Sequence, residues 1–143
     1  MSETITAITA EIRTVDSSYG GGTGPGTDGY VCLGLAGREF HANTSADDFE
    51  DGAQDVFVFG ENATVLKPEI NDPRNPQLTF ADLHAYPAYV RFDPAGDNDD
   101  WHLERATVTI TGSNDSKVIY SALAGDPDHW LGKDTGLIMH LHR

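Results

Sequence analysis

The chain is 143 residues long and strongly acidic, with 23 Asp and Glu against 9 Lys and Arg and a formal net charge of −14. That length fits a single domain, residues 1–143, with room for a sizeable core. The charge excludes nucleic acid as a partner, because phosphate binding needs clustered Lys and Arg. It also argues against unaided attachment to an anionic membrane.

In chain order, a first strand is expected over residues 6–15, where Ile8, Ala10 and Ile12 alternate with Thr9, Glu11 and Arg13. A second is expected over 30–35, with Val31, Leu33 and Leu35 on one face. A turn at Ala36-Gly37 leads to a third over 38–42. Residues 54–59 form a fourth, with Val56 and Val58 opposed to Phe57 and Phe59. A fifth is expected over 64–70, interrupted by Pro68. Residues 71–77, with two prolines and two asparagines, read as a loop. Residues 79–85 read as a helical turn or an irregular connection. Residues 88–92 and 101–111 are strands, the latter with Ala106, Val108 and Ile110 on the core face. Leu103 falls on the opposite face unless a bulge shifts the register. The last two strands are expected over 117–120 and 137–141. Short strands with Gly, Pro, Asp and Asn turns predict an all-β, antiparallel sandwich or barrel.

Acidic residues crowd into two loops: Asp47, Asp48 and Glu50 in the first, Asp97, Asp99 and Asp100 in the second. A third loop, Gly24-Pro25-Gly26-Thr27-Asp28, also leads into a strand. Carboxylates packed this tightly repel one another unless protons, solvent or a cation relieve them. Calcium takes six to eight oxygen ligands, which these loops offer. The competing reading is a set of solvated turns, since Asp and Asn are natural turn formers.

Three blocks in order carry a family resemblance. Gly26-Thr27-Asp28-Gly29-Tyr30-Val31 resembles the turn that opens the second strand of PLAT domains, the lipid-binding sandwich of the lipoxygenase and alpha-toxin type. Asp47-Asp48-Phe49-Glu50-Asp51-Gly52, followed by Asp55-Val56-Phe57, is similar to that family's acidic loop and next strand. Arg91-Phe92-Asp93, then Asp97 through Val108, resembles its late loop and the strand after it. With the first strand, the resemblance covers residues 5–111. The tail, with Asp128-His129-Trp130-Leu131 before a final strand, resembles the end of the alpha-toxin version.

The resemblance implies an antiparallel, eight-stranded β-sandwich with calcium (Ca2+) at one end. The ligands it implies are Gly26 through its carbonyl, Thr27, Asn43, Thr44, Asp47, Asp48, Asp99 and Asp100. Glu50 is a weaker candidate, facing either the metal or Arg38 or Arg105. Gly24 stands where a calcium-binding member can carry an aspartate, which weakens one site. The stretch 60–87 is longer than the family's usual connection, so its loops belong to this protein alone.

Other residues weigh less. Cys32, the only cysteine, reads as a buried small hydrophobe with no charged neighbour to activate it. Trp101 reads as core rather than as a membrane anchor, and Tyr19 is the better insertion candidate. His140 and His142 share a strand face, and with His129 they form a weak transition-metal alternative. No nucleophile elbow, phosphate loop or zinc-protease motif is present, so nothing points to an enzyme. No basic-then-apolar leader is visible, which makes the cytoplasm the default expectation.

The leading expectation is therefore a calcium-dependent module binding a lipid or membrane surface. The alternative is a non-catalytic module on the same sandwich with a protein partner. A stand-alone small enzyme or a sugar binder, with Tyr86 and Tyr89 as aromatic platforms, is a third and weaker reading.

Overall fold

Ile8, Ala10 and Ile12 are fully buried along β1 (Ile5–Thr14), so the pleat places them as their alternation predicts. In the computed structural model, which describes residues 2–16, 26–122 and 129–143, two antiparallel sheets pack face to face. One has the order β4 (Gln54–Gly60), β1, β6 (Trp101–Gly112), β7 (Lys117–Ala122). The short β8 (His129–Leu131) pairs with residues 101–103 of β6, beyond the stretch paired with β7. The other sheet runs β3 (Arg38–His41), β2 (Tyr30–Leu35), β5 (Tyr89–Asp93), β9 (Ile138–His140). The described residues hold nine strands, one more than the eight the resemblance implies; β8 was not among the strands expected from the sequence.

Between the sheets lies an aromatic core. Phe57 and Phe59 are buried while Val56 is half exposed, which settles the inner face of β4. Phe40 meets Phe59 at 5.4 Å between ring centroids, and Phe92 meets Trp101 at 5.7 Å. Trp101 is fully buried and its Nε1 donates to Thr14 Oγ1 at 3.0 Å, so it is a core residue.

The register of β6 shifts at Glu104. Arg13 pairs with Arg105, but Thr14 pairs with Leu103, leaving Glu104 as the extra residue of a bulge. Trp101 and Leu103 therefore join Ala106, Val108 and Ile110 inside. Glu104, turned outward, meets Arg13 Nε at 2.6 Å.

Residues 64–70 are not a strand, against expectation. After β4 the chain turns at Asn62 (φ 60°) and doubles back beside the strand, Thr64 N–H donating to Val58 O. Lys67 adopts a left-handed φ of 52° and Pro68 has no N–H, so no ladder can continue. Val65 enters the core, and Leu66 N–H donates to Asn43 O at 2.8 Å. The 79–85 segment takes its helical alternative as α1 (Phe80–Ala85), with Asp82 accepting from Thr79 N–H.

Strand directions fix where loops gather. Arg13 pairs with Gln54, Tyr30 with Asp93, and Cys32 with His41. The β1–β2, β3–β4 and β5–β6 connections therefore all leave the same end of the sandwich.

Candidate functional site

The middle acidic loop is pinned by an apolar residue. Phe49 sits among Asp47, Asp48, Glu50 and Asp51, yet its ring is buried 5.3 Å from Phe57 and 5.1 Å from Trp101. Its backbone is left-handed (φ 61°), a conformation that costs a non-glycine residue about 1–3 kcal/mol. Two hydrogen bonds hold it there. Phe49 N–H donates to Asp55 Oδ2 at 2.8 Å, and Phe49 O accepts from Thr27 N–H at 3.0 Å. Burial pushes the Asp55 carboxyl above its usual value. With the ring held inside, Asp47 and Glu50 project to solvent.

Gly26 is glycine for a packing reason. A Cβ there would lie 2.8 Å from Phe49 O and 3.0 Å from Asp51 N, so any side chain would push the first loop off the second. Thr27, next in the chain, donates its hydroxyl to Asp99 at 2.7 Å and accepts from Gly29 N–H at 2.8 Å. Asp99 also accepts from Ala95 N–H, so this carboxylate ties the first loop to the third.

At this junction Asp28, Asp47 and Glu50 each place a carboxylate oxygen within 4.8 Å of the others, the one such acidic group among the described residues. Beside them a cavity of about 300 Å³ is walled by residues including Asp28, His41, Asn43, Asp47 and Asp48. The hydrogen bond and charge of Asp47, then the charges of Asp28 and Asp55, raise the Glu50 carboxyl above its usual value. Hard, anionic oxygens converging at an exposed, roomy position suit calcium.

The other expected ligands sit as follows. Thr44 donates N–H and Oγ1 to the two oxygens of Asp48, each at 2.7 Å, closing a tight turn on the cavity wall. Each carboxylate oxygen has a second lone pair, so these bonds leave Asp48 and Asp99 able to accept a cation. The third acidic run divides. Asp99 joins Thr27, Asp100 packs against Gly132 before β9, and Asp97 edges a hollow with Lys133 and Leu137. Glu50 faces Asp47 rather than Arg38, whose guanidinium donates to Asp72 O and Pro76 O. Asp28 escaped the sequence reading as a ligand. Its signal was its place in the Thr27-Asp28-Gly29 turn, but only folding sets it against Asp47.

The repulsion has a testable consequence. A carboxyl raised in the fold binds more protons folded than unfolded between its unfolded value, near 4.5, and its folded value. Stability of the calcium-free protein should therefore fall as pH rises through that window. Glu39 and Asp72, lowered by Arg91 and Arg74, act below it with the opposite sign. Thermal melting across pH, with Glu50→Gln as reference, checks this; the variant should show a shallower decline, keeping only the part due to Asp55, which burial also raises.

Comparison with solved structures bears on the fold. Alpha toxin from Clostridium absonum superposes on 99% of this chain with a TM-score of 0.63 at 16% identity. Alpha-toxin from an avian strain of Clostridium perfringens gives 0.58 at 19% identity, also over 99%. A lipoxygenase (LOX) variant gives 0.53 at 17% identity over 95% of the chain. The fold is PLAT-like. This chain spans 32% of each alpha-toxin and 16% of the lipoxygenase chain. No family model and no curated protein matches the sequence.

Elsewhere on the PLAT-like sandwich, Cys32 is buried as expected, but it does have a charged neighbour. Arg91 of the adjacent strand lies 3.6 Å from its sulfur. Burial outweighs that charge and raises the thiol, so it is not activated. His140 stands beside Tyr89, and His142 bridges to Ser121 of the other sheet. Tyr19, Gly24, Pro25 and Asp128 lie outside the described residues.

Proposed function

We propose that the chain is a calcium-dependent module that attaches to lipid or membrane surfaces through its loop end. The observation that carries this is the meeting of Asp28, Asp47 and Glu50 within 4.8 Å. In this reading further oxygens come from Thr27, Asn43 and Asp48, which line the adjoining cavity, from Thr44 and Asp99, which are hydrogen-bonded to Asp48 and Thr27, and from the carbonyl of Gly26. Asp100, turned toward Gly132, would serve only an ion at the edge of the site.

Calcium bound there does two things. It cancels the local repulsion, and it offers open coordination positions to phosphate oxygens. A protein of charge −14 is repelled by anionic lipid, so a bridging cation converts repulsion into attraction at one end only. The likeness to alpha-toxin and lipoxygenase chains supports this reading through the shared sandwich.

Co-sedimentation with phosphatidylcholine–phosphatidylserine vesicles tests it. The protein should pellet at millimolar calcium and stay in solution with chelator. Protein in the supernatant under both conditions sinks the lipid reading. A calcium titration that still gives heat would then favour the protein-partner alternative.

A further inference from the structure

We infer that the turn at residues 66–70 is a bilayer-seating element that this chain adds beside the acidic cavity, an inference that rests on the lipid reading above. Its occupant is the headgroup boundary of a phospholipid bilayer. The turn belongs to the long excursion after β4, which runs back along the strand to the loop end. There Leu66 N–H meets Asn43 O at 2.8 Å, and Asn43 walls the cavity.

Three features of the turn fit a bilayer. First, it exposes two large apolar side chains next to the acidic cavity. Leu66 is 44% and Ile70 63% exposed, although their neighbours Val65 and Asn71 are buried. Exposed apolar residues beside a polar site mark contact surfaces.

Second, the backbone of the turn is largely satisfied from within. Ile70 N–H donates to Lys67 O and Asn71 N–H to Pro68 O, both at 3.2 Å. Buried Asn71 donates its amide to Leu66 O and Lys67 O and accepts from His41 N–H. Pro68 has no N–H to satisfy. Backbone groups already bonded lose little on leaving water, which an element approaching hydrocarbon requires. A turn clasped this way also loses little freedom on binding.

Third, the charge is placed for phosphate. Lys67 is exposed and follows Leu66 directly, whose N–H meets Asn43 O on the cavity wall. A cation beside a calcium-filled cavity would meet the same anionic headgroups. Glu69 is exposed on the same turn, which keeps the seating shallow.

The test uses the full chain with phosphatidylcholine–phosphatidylserine vesicles in equal parts at millimolar calcium. The doubly substituted Leu66→Ser, Ile70→Ser protein should partition about tenfold or more weakly. Its calcium titration and melting temperature should match those of the unsubstituted protein, since exposed side chains contribute little to folding. A fluorophore on Ile70→Cys, with Cys32 buried and slow to react, should shift to the blue when vesicles and calcium are both present.

Equal partitioning of the double variant, with the unsubstituted protein bound, overturns the inference and leaves the lipid reading standing. So does weaker partitioning that tracks an equal loss of calcium affinity. If the unsubstituted protein does not bind vesicles, the lipid reading falls and the inference with it.

Discussion

Asp47→Asn should lower calcium affinity by at least about 100-fold, among the largest losses expected from a single substitution at the loop end. Even groups one shell removed from a metal cost about 10–100-fold when changed, and Asp47 is one of the three carboxylates that meet within 4.8 Å. It is also the first cause of the raised Glu50 carboxyl, so no other residue is coupled to the group as closely. The amide keeps the size and one oxygen of the side chain but removes its charge. Without calcium the same substitution relieves repulsion, so the melting temperature should hold or rise. Calorimetric titration and a melt in chelator read the two effects separately. An affinity within a few-fold of the unsubstituted protein would move the ion away from Asp47, and a lower chelator melt would show that Asp47 stabilises the fold instead. Asp28→Asn should behave alike. Asp100→Asn should change affinity far less, because Asp100 packs on Gly132.

Phe49→Ala should cost about 3–5 kcal/mol of folding stability, the usual range for emptying a buried aromatic site. Against a typical total of 5–15 kcal/mol this is a large fraction. The ring touches Phe57 and Trp101, and alanine at φ 61° keeps the backbone strain while losing the packing that offsets it. The loss should not stop at stability. Phe49 fixes the loop that carries Asp47, Asp48 and Glu50, and its carbonyl holds Thr27 of the neighbouring loop. Calcium affinity should therefore fall even well below the melting temperature. Denaturant unfolding gives the first effect as a lower midpoint at unchanged slope, and titration of the folded variant gives the second. A stable variant with a normal calcium titration would show that the acidic loop is ordered without its aromatic anchor.

The two substitutions mark different distances between sequence and structure. Phe49 was visible as part of an acidic-Phe-Glu block, but its left-handed backbone and its contact with Trp101, 52 positions on, were not. Asp28 was visible as a turn residue, and only the closing of the first loop onto the second made it a partner of Asp47. Misreadings had a common origin. Residues 64–70 have strand-like composition, yet Lys67 and Pro68 end any ladder and Asn71 supplies the bonds a ladder would have given. Cys32 read as having no charged neighbour because Arg91, its cross-strand partner, is 59 positions away. Leu103 was ambiguous because one extra residue, Glu104, reverses every side chain before it.

What the sequence determined by itself was the all-β class, the inner face of most strands and the acidic character of the loops. Pleat alternation is local: each side chain's face follows from its neighbours'. What the tertiary structure decided was which carboxylates meet, how β6 bulges, and that the long excursion returns to the acidic end. Those outcomes depend on contacts between residues tens of positions apart, made through hydrogen bonds such as Thr27 to Phe49 and Leu66 to Asn43. Their energies are settled only when the whole sandwich closes.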